Sequence, residues 1–382
     1  MLPILSKVLE RLVARHWILP YLSSSTSSSQ FAYLPRSGGG AVTALTLMQH
    51  DILKFLDSSS GAVRLLSVDF ARAFDKIPHS GIVTSCIRFG LPREAIAWIV
   101  DFLSNRFQRV KCKDSYSSWS PVSSGVPQGS VIGPLLFCMF VDNINVVCSN
   151  SSIFKYADDV SILHFVRSSR EDHLQQELDN IMIWSESQNL PINFSKCKVL
   201  DVVTRKDLTL APVSASNGDN IPIVTSITLL GVTMSSDLKW NAHVDTIVKK
   251  ASKRIFLIRN LRRADCPLSA MFHAYSSFIR SVILYAYPSF CNAPAYLMSK
   301  LLVLERRVLR IMTGGKDHTF PSLTDAGEHV CQNLFQRVVS DASHPLRRCF
   351  VPRTCRTRTT KLLQPIQAKT TRFSSSFMRF GR

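Results

Sequence analysis

The chain has 382 residues, 46% of them hydrophobic, and 46 Lys and Arg against 27 Asp and Glu give a formal charge of +19. That apolar content excludes an intrinsically disordered chain and suffices for two or three domains. The basic excess favours a polyanionic partner, either nucleic acid or an anionic membrane surface. Ten Cys without a C-x-x-C pair exclude a zinc ribbon and a secreted disulfide framework. Cys331, His344, Cys349 and Cys355 come nearest to a metal cluster but lack a paired first half, so reduced thiols in an intracellular protein are expected. The longest apolar run, Val131 to Val141, is eleven residues and contains Gly133 and Pro134, too short to span a bilayer. Met1 to Leu5 is too short for a signal peptide and is followed by Lys7, Glu10 and Arg11. The expected location is therefore the nucleus or cytoplasm, with no membrane.

Leu5, Val8, Leu9, Leu12 and Val13 carry helical spacing that is expected to stop at Pro20, and Ser23 to Ser29 reads as a flexible loop. The Pro35–Gly40 turn feeds a helix over about 41–56, with Leu45, Met48, Ile52 and Phe55 on one face. Val63 to Val68 is a strand ending at Asp69. Leu91-Pro92 opens another helix, its buried stripe predicted as Ile96, Ile99, Val100 and Leu103. Arg109 to Pro121 suggests a hairpin bending near Asp114-Ser115. The Ser124–Ser130 loop is of a kind that brings backbone close to a ligand, and Leu135 to Val141 is apolar all round, hence deeply buried. Tyr156-Ala157-Asp158-Asp159 lies between the apolar runs Ile153-Phe154 and Val160–Leu163, at the tip of a hairpin. Glu171 to Gln188 is an amphipathic helix, and 192–203 and 227–234 read as strands. From Trp240 the chain turns to helices with basic faces, which places a domain boundary near 235. Alternation of β and α before that point argues for a sheet covered by helices.

Asp69 at a strand end and Asp158-Asp159 at a hairpin tip are three carboxylates from two segments, an arrangement able to hold a pair of Mg²⁺ ions against a nucleoside triphosphate. Close carboxylates repel one another, so bound cations are what would favour such a cluster at neutral pH. By composition alone, an Asp pair in a turn is more often a solvated turn former. Phe74 reads as an ordinary core residue, Pro127-Gln128-Gly129 as an ordinary turn, and Lys196 as a solvated Lys before a strand.

Several ordered segments resemble the reverse transcriptases of non-LTR (LINE-type) retrotransposons. Ser67–His79, containing Asp69-Phe70-Ala71-Arg72-Ala73-Phe74-Asp75, is similar to the family's motif A. Ser124-Gly125-Val126-Pro127-Gln128-Gly129-Ser130 with Val131–Pro134 is similar to motif B. Lys155-Tyr156-Ala157-Asp158-Asp159 resembles motif C, Leu190–Lys196 motif D, and Leu229-Leu230-Gly231-Val232 motif E. Five in this order over about 170 residues are specific, and weaker similarity runs from residue 1 to about 315.

The resemblance implies an α+β fold: a right-hand polymerase palm with partial fingers, followed by a helical thumb. It implies partial fingers over 1–60, palm with the remaining fingers elements over 61–235, thumb over 236–315, and a basic, poorly ordered extension over 316–382. The implied activity is two-metal transfer of dNTPs onto a DNA 3′-hydroxyl on an RNA template, with Mg²⁺ as the metal and Mn²⁺ as a substitute. Asp69, Asp158 and Asp159 would be the catalytic, metal-binding triad, and Phe74 the steric gate that excludes a 2′-hydroxyl. Gln128 and Gly129 would lie against the incoming nucleotide and template base. Lys196 would approach the triphosphate as a general acid, and Arg36 would be a fingers contact to phosphate, although many relatives have an Arg where Leu34 stands. Asp75 would be structural.

Lys249, Lys250, Lys253, Arg254, Arg259, Arg262 and Arg263 fall within fifteen residues without an acid between them, over apolar Ile247, Val248, Ala251, Ile255 and Ile258. Such a basic helix can track a duplex backbone without reading bases; the plainer reading is a solvated helix face. Arg306, Arg307 and Arg310 form a second block, and the segment Arg347–Arg382 has ten Lys and Arg and no acid. The partners expected are an RNA template, a DNA primer or target, and dNTPs, with oligomeric state left open. Leu2–Lys7 resembles an early fingers motif and no endonuclease-like segment is visible, so a fragment or truncated copy of a retrotransposon reading frame is expected. The alternatives are a non-catalytic nucleic-acid-binding remnant, or a polymerase relative such as an intron maturase or a telomerase-like enzyme.

Overall fold

The computed structural model describes residues 3–33, 38–205, 207–316, 320–352 and 363–381. They group into two compact units: Met1–Gly40, Arg64–Val199 and Thr209–Ile223 form one, and Ala41–Val63, Leu200–Leu208 and Val224–Arg382 the other. The fold class is α+β, as expected. Arg36 lies outside the described residues.

A four-stranded sheet underlies the first unit, although most of its outer strand, residues 200–203, is counted with the second. With β1 as Ala62–Val68, β2 as Ser151–Tyr156, β3 as Asp159–Val166 and β4 as Lys198–Val203, the strand order is β2-β3-β1-β4. β1 is buried almost throughout, as its run of β-branched and leucine side chains requires. β2 and β3 pair antiparallel from Ser151↔His164 to Tyr156↔Asp159, leaving Ala157-Asp158 as a two-residue turn. The sheet is backed by the helices His79–Arg88, Arg93–Leu103, Gly133–Val141 and Leu174–Ser187.

Gly133–Val141 is buried along nearly its whole length, and both of its ends are tied by buried charges. At the N-terminus the carboxylate of Glu10, itself 0% exposed, accepts from Ser130 Oγ and Val131 N at 2.6 Å and from Ile132 N at 3.3 Å. At the C-terminus Lys155 Nζ, likewise buried, donates to the carbonyls of Asp142 at 2.6 Å and Ile144 at 3.0 Å. Arg88 Nη2 donates to Met139 O at 2.7 Å. An anion at the start and cations at the end complement the helix dipole and satisfy its orphan backbone groups.

Several expectations are corrected. The first helix does not stop at Pro20: Ile4–Val13 runs through a π-helical stretch, Ala14–Ile18, into Leu19–Ser25. Pro20 is the second residue of that last segment, directly after the widened π-helical turn, and Ser23 to Ser25 are helical rather than loop. In Arg93–Leu103 the buried stripe is Ala95, Ile99 and Leu103, with Val100 41% exposed. Residues 192–197 form a turn, and the strand begins only at Lys198.

Residues 41–63 group with the second unit, within which the Ala41–Ser58 helix packs. Thr46 and Ser289 hydroxyls lie 3.2 Å apart, the His50 and Phe373 rings are 5.3 Å apart, and Asp57 accepts from the backbone N–H of Lys369 and Thr370. The motif-E hairpin, Ser226–Leu229 with Val232–Ser235, likewise belongs to the second unit. Ser322 caps the Leu323–Ser340 helix, Phe350–Pro352 pairs with Leu363–Pro365, and Leu346, Cys349, Phe350, Phe373, Phe377 and Met378 are buried. Basic composition concealed apolar residues spaced to enter a core. His344 Nδ1 accepts from Leu346 N as a local cap, and Cys355 lies outside the described residues.

Candidate active site

β1 is the neighbour of β3 in the sheet, so the residue that follows β1, Asp69, and the first residue of β3, Asp159, end adjacent strands. Asp158 completes the turn between β2 and β3. Ala157 holds φ +56, uncommon for a residue with a Cβ, and its N–H donates to the buried Gln30 side-chain oxygen at 3.3 Å. The segment around Gln30 is stitched to β2, with Lys155 N donating to Ser29 O and Phe31 N to Lys155 O. Gln30 thus braces the acidic turn, while Lys155 ties β2 to the end of the buried helix. Neither role was visible in the sequence, because the partners lie more than ten residues away.

The three carboxylates share one electrostatic environment. Burial raises Asp158, and the Asp69 charge adds to that while Lys196 opposes it. Asp159 keeps much of its surface in water, yet partial desolvation raises it, reinforced by the charges of Asp158 and Asp69. Asp69 Oδ1 is shielded from solvent and accepts no hydrogen bond, and Lys196 Nζ stands 3.4 Å from it. All three are hard oxygen donors, and the ionised forms of Asp158 and Asp159 are disfavoured, which fits a divalent cation in kind. Among the described residues no group of three His, Cys, Asp or Glu side chains is drawn together closely enough to hold a metal.

Lys196 reaches Asp69 because the preceding turn docks on the end of β1. Ala71 N donates to Pro191 O at 2.8 Å, Asn193 N donates to Asp69 O at 2.7 Å, and Phe70 bridges Ile192. Lys196 itself is exposed, so its ion pair with Asp69 contributes little stability.

Phe74 sits on the four-residue helix Ala73–Lys76, whose preceding Arg72 has φ +53. The half-buried Phe74 ring stacks on Phe137 of the buried helix, centroids 4.4 Å apart. The Ser124–Ser130 loop closes over the same turn: Val126 N donates to Phe74 O, Gly125 N to Ile77 O, and Ser124 Oγ to Asp75 O. Gln128 is exposed and its Nε2 donates to Asp75 Oδ1 at 3.2 Å. Gly125 is where backbones meet: at φ +81, a Cβ there would lie 2.5 Å from Asp75 O. Gly129 has φ +78 and open space around it. Asp75 thus serves as the loop's anchor; Asp69, Asp158, Asp159 and Lys196 act on one another electrostatically, while Phe74 and Gln128 meet at the Asp75 turn of the same unit.

The basic stretch lies in the second unit and is two helices, Asn241–Ser252 and Ile255–Arg263, broken at Lys253-Arg254. Lys249, Lys250, Lys253, Arg254, Arg259, Arg262 and Arg263 are all exposed, while Ile247, Ala251, Ile255 and Ile258 are buried. Arg254 Nη1 donates to Phe278 O, so one of the seven is already engaged. Arg306, Arg307 and Arg310 are exposed on the Ala295–Thr313 helix. No helix among the described residues is long and apolar enough to cross a membrane.

A strand-borne carboxylate set beside a docked Lys and a clamped Gly-Val-Pro-Gln-Gly loop is polymerase-like, and the chain belongs to the reverse transcriptase family. The family model described as reverse transcriptase (RNA-dependent DNA polymerase) matches residues 1–234, more than half of the chain. The chain is 25% identical over 363 residues to the RNA-directed DNA polymerase from mobile element jockey of Drosophila melanogaster, covering 88% of this chain and 39% of that protein. It is also 25% identical over 370 residues to the probable RNA-directed DNA polymerase from transposon BS of the same organism, covering 90% and 39%. The chain therefore spans less than half the length of these relatives. Among solved structures, apo telomerase from Candida tropicalis is similar at a TM-score of 0.46 and 10% identity, over 88% of this chain and 60% of that one.

Proposed function

We infer that this chain is the polymerase part of a retrotransposon reverse transcriptase, extending a DNA 3′ end on an RNA template with dNTPs. The observation that carries the reading is the electrostatic joining of Asp69 to the Asp158-Asp159 turn, next to Lys196. Asp69, Asp158 and Asp159 would hold the divalent metal, Mg²⁺ by preference and Mn²⁺ as a substitute. When bound, a metal pair supplies activation of the 3′-hydroxyl and charge stabilisation of the leaving pyrophosphate.

The residues of the chain carry the remaining tasks. Lys196, free to leave Asp69 once that carboxylate is neutralised, would bind the triphosphate and give a proton to pyrophosphate. Phe74, held against Phe137, would present a fixed ring edge to the sugar and exclude a 2′-hydroxyl. Gln128 and Gly129 would meet the nucleotide and template base, the open space at Gly129 leaving its backbone approachable. The first unit corresponds to palm and partial fingers, and the helical part of the second to a thumb. Its seven exposed cations would neutralise duplex phosphates without reading sequence.

The test is primer extension by purified protein on poly(rA)/oligo(dT) with dTTP and Mg²⁺. Asp158→Ala with Asp159→Ala is expected to lower the rate at least about 10³-fold. Extension that survives this change sinks the site assignment. Salt-sensitive RNA binding with no extension by the wild type would favour a non-catalytic binding remnant instead. Phe74→Ala should raise ribonucleotide incorporation relative to the wild type.

A further inference from the structure

The most exposed ordered feature of the first unit is the hairpin between the Arg93–Leu103 helix and the Ser124–Ser130 loop. Phe107–Gln108 pairs with Ser120–Pro121, and Lys111–Cys112 pairs with Ser115–Tyr116. Every residue from Phe107 to Pro121 is exposed, so neither face of this ribbon packs on the core. Yet it carries large side chains, with Phe107 at 61%, Tyr116 at 51% and Trp119 at 60% exposure. A two-stranded ribbon without a packed face is marginal in water, and a cluster of exposed aromatics marks a surface made to meet something.

The chemistry of the cluster narrows the partner. The Arg109 guanidinium carbon lies 4.1 Å from the Tyr116 ring centre and 4.6 Å from that of Trp119, and Lys111 Nζ lies 5.5 Å from Tyr116. The cations hold the rings in place by cation–π attraction. With Lys113 the ribbon has three cations against one acid, Asp114. Flat rings interleaved with positive charge are how proteins take unpaired nucleic acid, since every base has a stacking face and every nucleotide a phosphate. A duplex hides its bases and would engage the charges alone.

We propose that the Phe107–Pro121 hairpin is a stacking platform for single-stranded RNA, taking bases on Tyr116 and Trp119 and phosphates on Arg109 and Lys111. The choice of RNA rests on the reading above: in templated extension the product is paired, so the strand still unpaired is the template. The hairpin leads straight into the loop that carries Gln128. Pro121 is four residues from Gly125, whose N–H is tied to Ile77 O, a reach of at most about 14 Å. A template held on the ribbon would therefore be fed toward that loop.

Binding is measured with the full chain, without dNTP or divalent metal, using labelled oligo(rU) of roughly ten to sixteen nucleotides. Tyr116→Ala with Trp119→Ala is expected to weaken it about tenfold or more, with duplex RNA binding and thermal unfolding unmoved. Tyr116→Phe with Trp119→Phe keeps the rings and should keep the affinity. No loss on alanine substitution, an equal loss for duplex RNA, or loss in the Phe variant overturns the platform. The strand is identified by ultraviolet cross-linking on a DNA primer annealed to a longer RNA. 4-Thiouridine in the RNA overhang should label the peptide holding Tyr116 and Trp119. Labelling only from a thio-substituted primer, or from neither strand, overturns the assignment to template. A chain that cross-links RNA here but extends no primer fails the polymerase reading and leaves the platform standing.

Discussion

The buried helix Gly133–Val141 and the exposed hairpin Phe107–Pro121 flank the same loop and are built on opposite principles. The helix is surrounded by core, and its ends are held by Glu10 and Lys155, charges that would be costly to bury without those partners, with the exposed Arg88 adding a donor near its end. The hairpin touches no core and is held by its own ladder and by cation–π contacts. The difference separates what positions a site from what meets a ligand. Phe74 rests on the rigid element, while Tyr116 and Trp119 stand on the element that can adapt.

This comparison can be broken most sharply at the helix ends. Lys155→Met strips the carbonyls of Asp142 and Ile144 of their donor and should destabilise the fold by roughly 2–5 kcal/mol in urea unfolding, about 1–3 for each stranded carbonyl; a change within 0.5 kcal/mol would refute the anchoring role. Burial lowers the Lys155 ammonium to about 8, with Asp142 opposing the shift. The folded protein then releases this proton before the unfolded chain does. The Lys155 contribution to stability should accordingly rise as pH climbs from about 8 toward the ordinary lysine value, seen as a pH-dependent difference between wild type and Lys155→Met.

Next in size are the glycines of the clamped loop. Gly125→Ala meets both an unfavourable φ and the Asp75 carbonyl, whereas Gly129→Ala meets the φ strain alone. We expect about 1–2 kcal/mol at Gly129 and clearly more at Gly125. Equal losses would show that the close approach to Asp75 is not what Gly125 serves.

A smaller effect of opposite sign is expected at the acidic turn. Asp159 is raised by burial and by its neighbouring carboxylates, so its ionisation opposes folding, and metal-free stability should fall as pH rises through its folded-state value. Asp159→Asn should raise the metal-free unfolding temperature at neutral pH by roughly 1–3 °C. Mg²⁺ should stabilise the wild type, and Asp158→Asn with Asp159→Asn should abolish that gain. The smallest effect belongs to the hairpin, where Tyr116→Ala with Trp119→Ala should leave stability within about 0.5 kcal/mol. A larger loss would mean that the ribbon belongs to the scaffold after all.

Local pattern made much of the first unit legible. The β1 run, the apolar helix before Val141 and the hairpin around Asp158 each follow from periodicity or turn chemistry within a few residues. The order of the motif segments pointed to the family that the comparison with known proteins then showed. Pro20 was misjudged because a π-helical stretch precedes it, and the helix Leu323–Ser340 was not read because charge counts outweighed a sparse apolar rhythm.

What the sequence determined by itself is the chemistry available: three carboxylates, a Lys, a gate-sized Phe and a Gly-rich loop, all encoded within short windows. Tertiary structure decided which of them share a field and what holds them there. Asp69 acts on Asp158 and Asp159 through strand order, and Glu10 meets the helix end 120 residues away. Gln30 meets the Ala157 turn 127 residues away. The physical reason is that a buried charge or amide is tolerated only beside its partner, and folding alone brings partners so distant in the chain together.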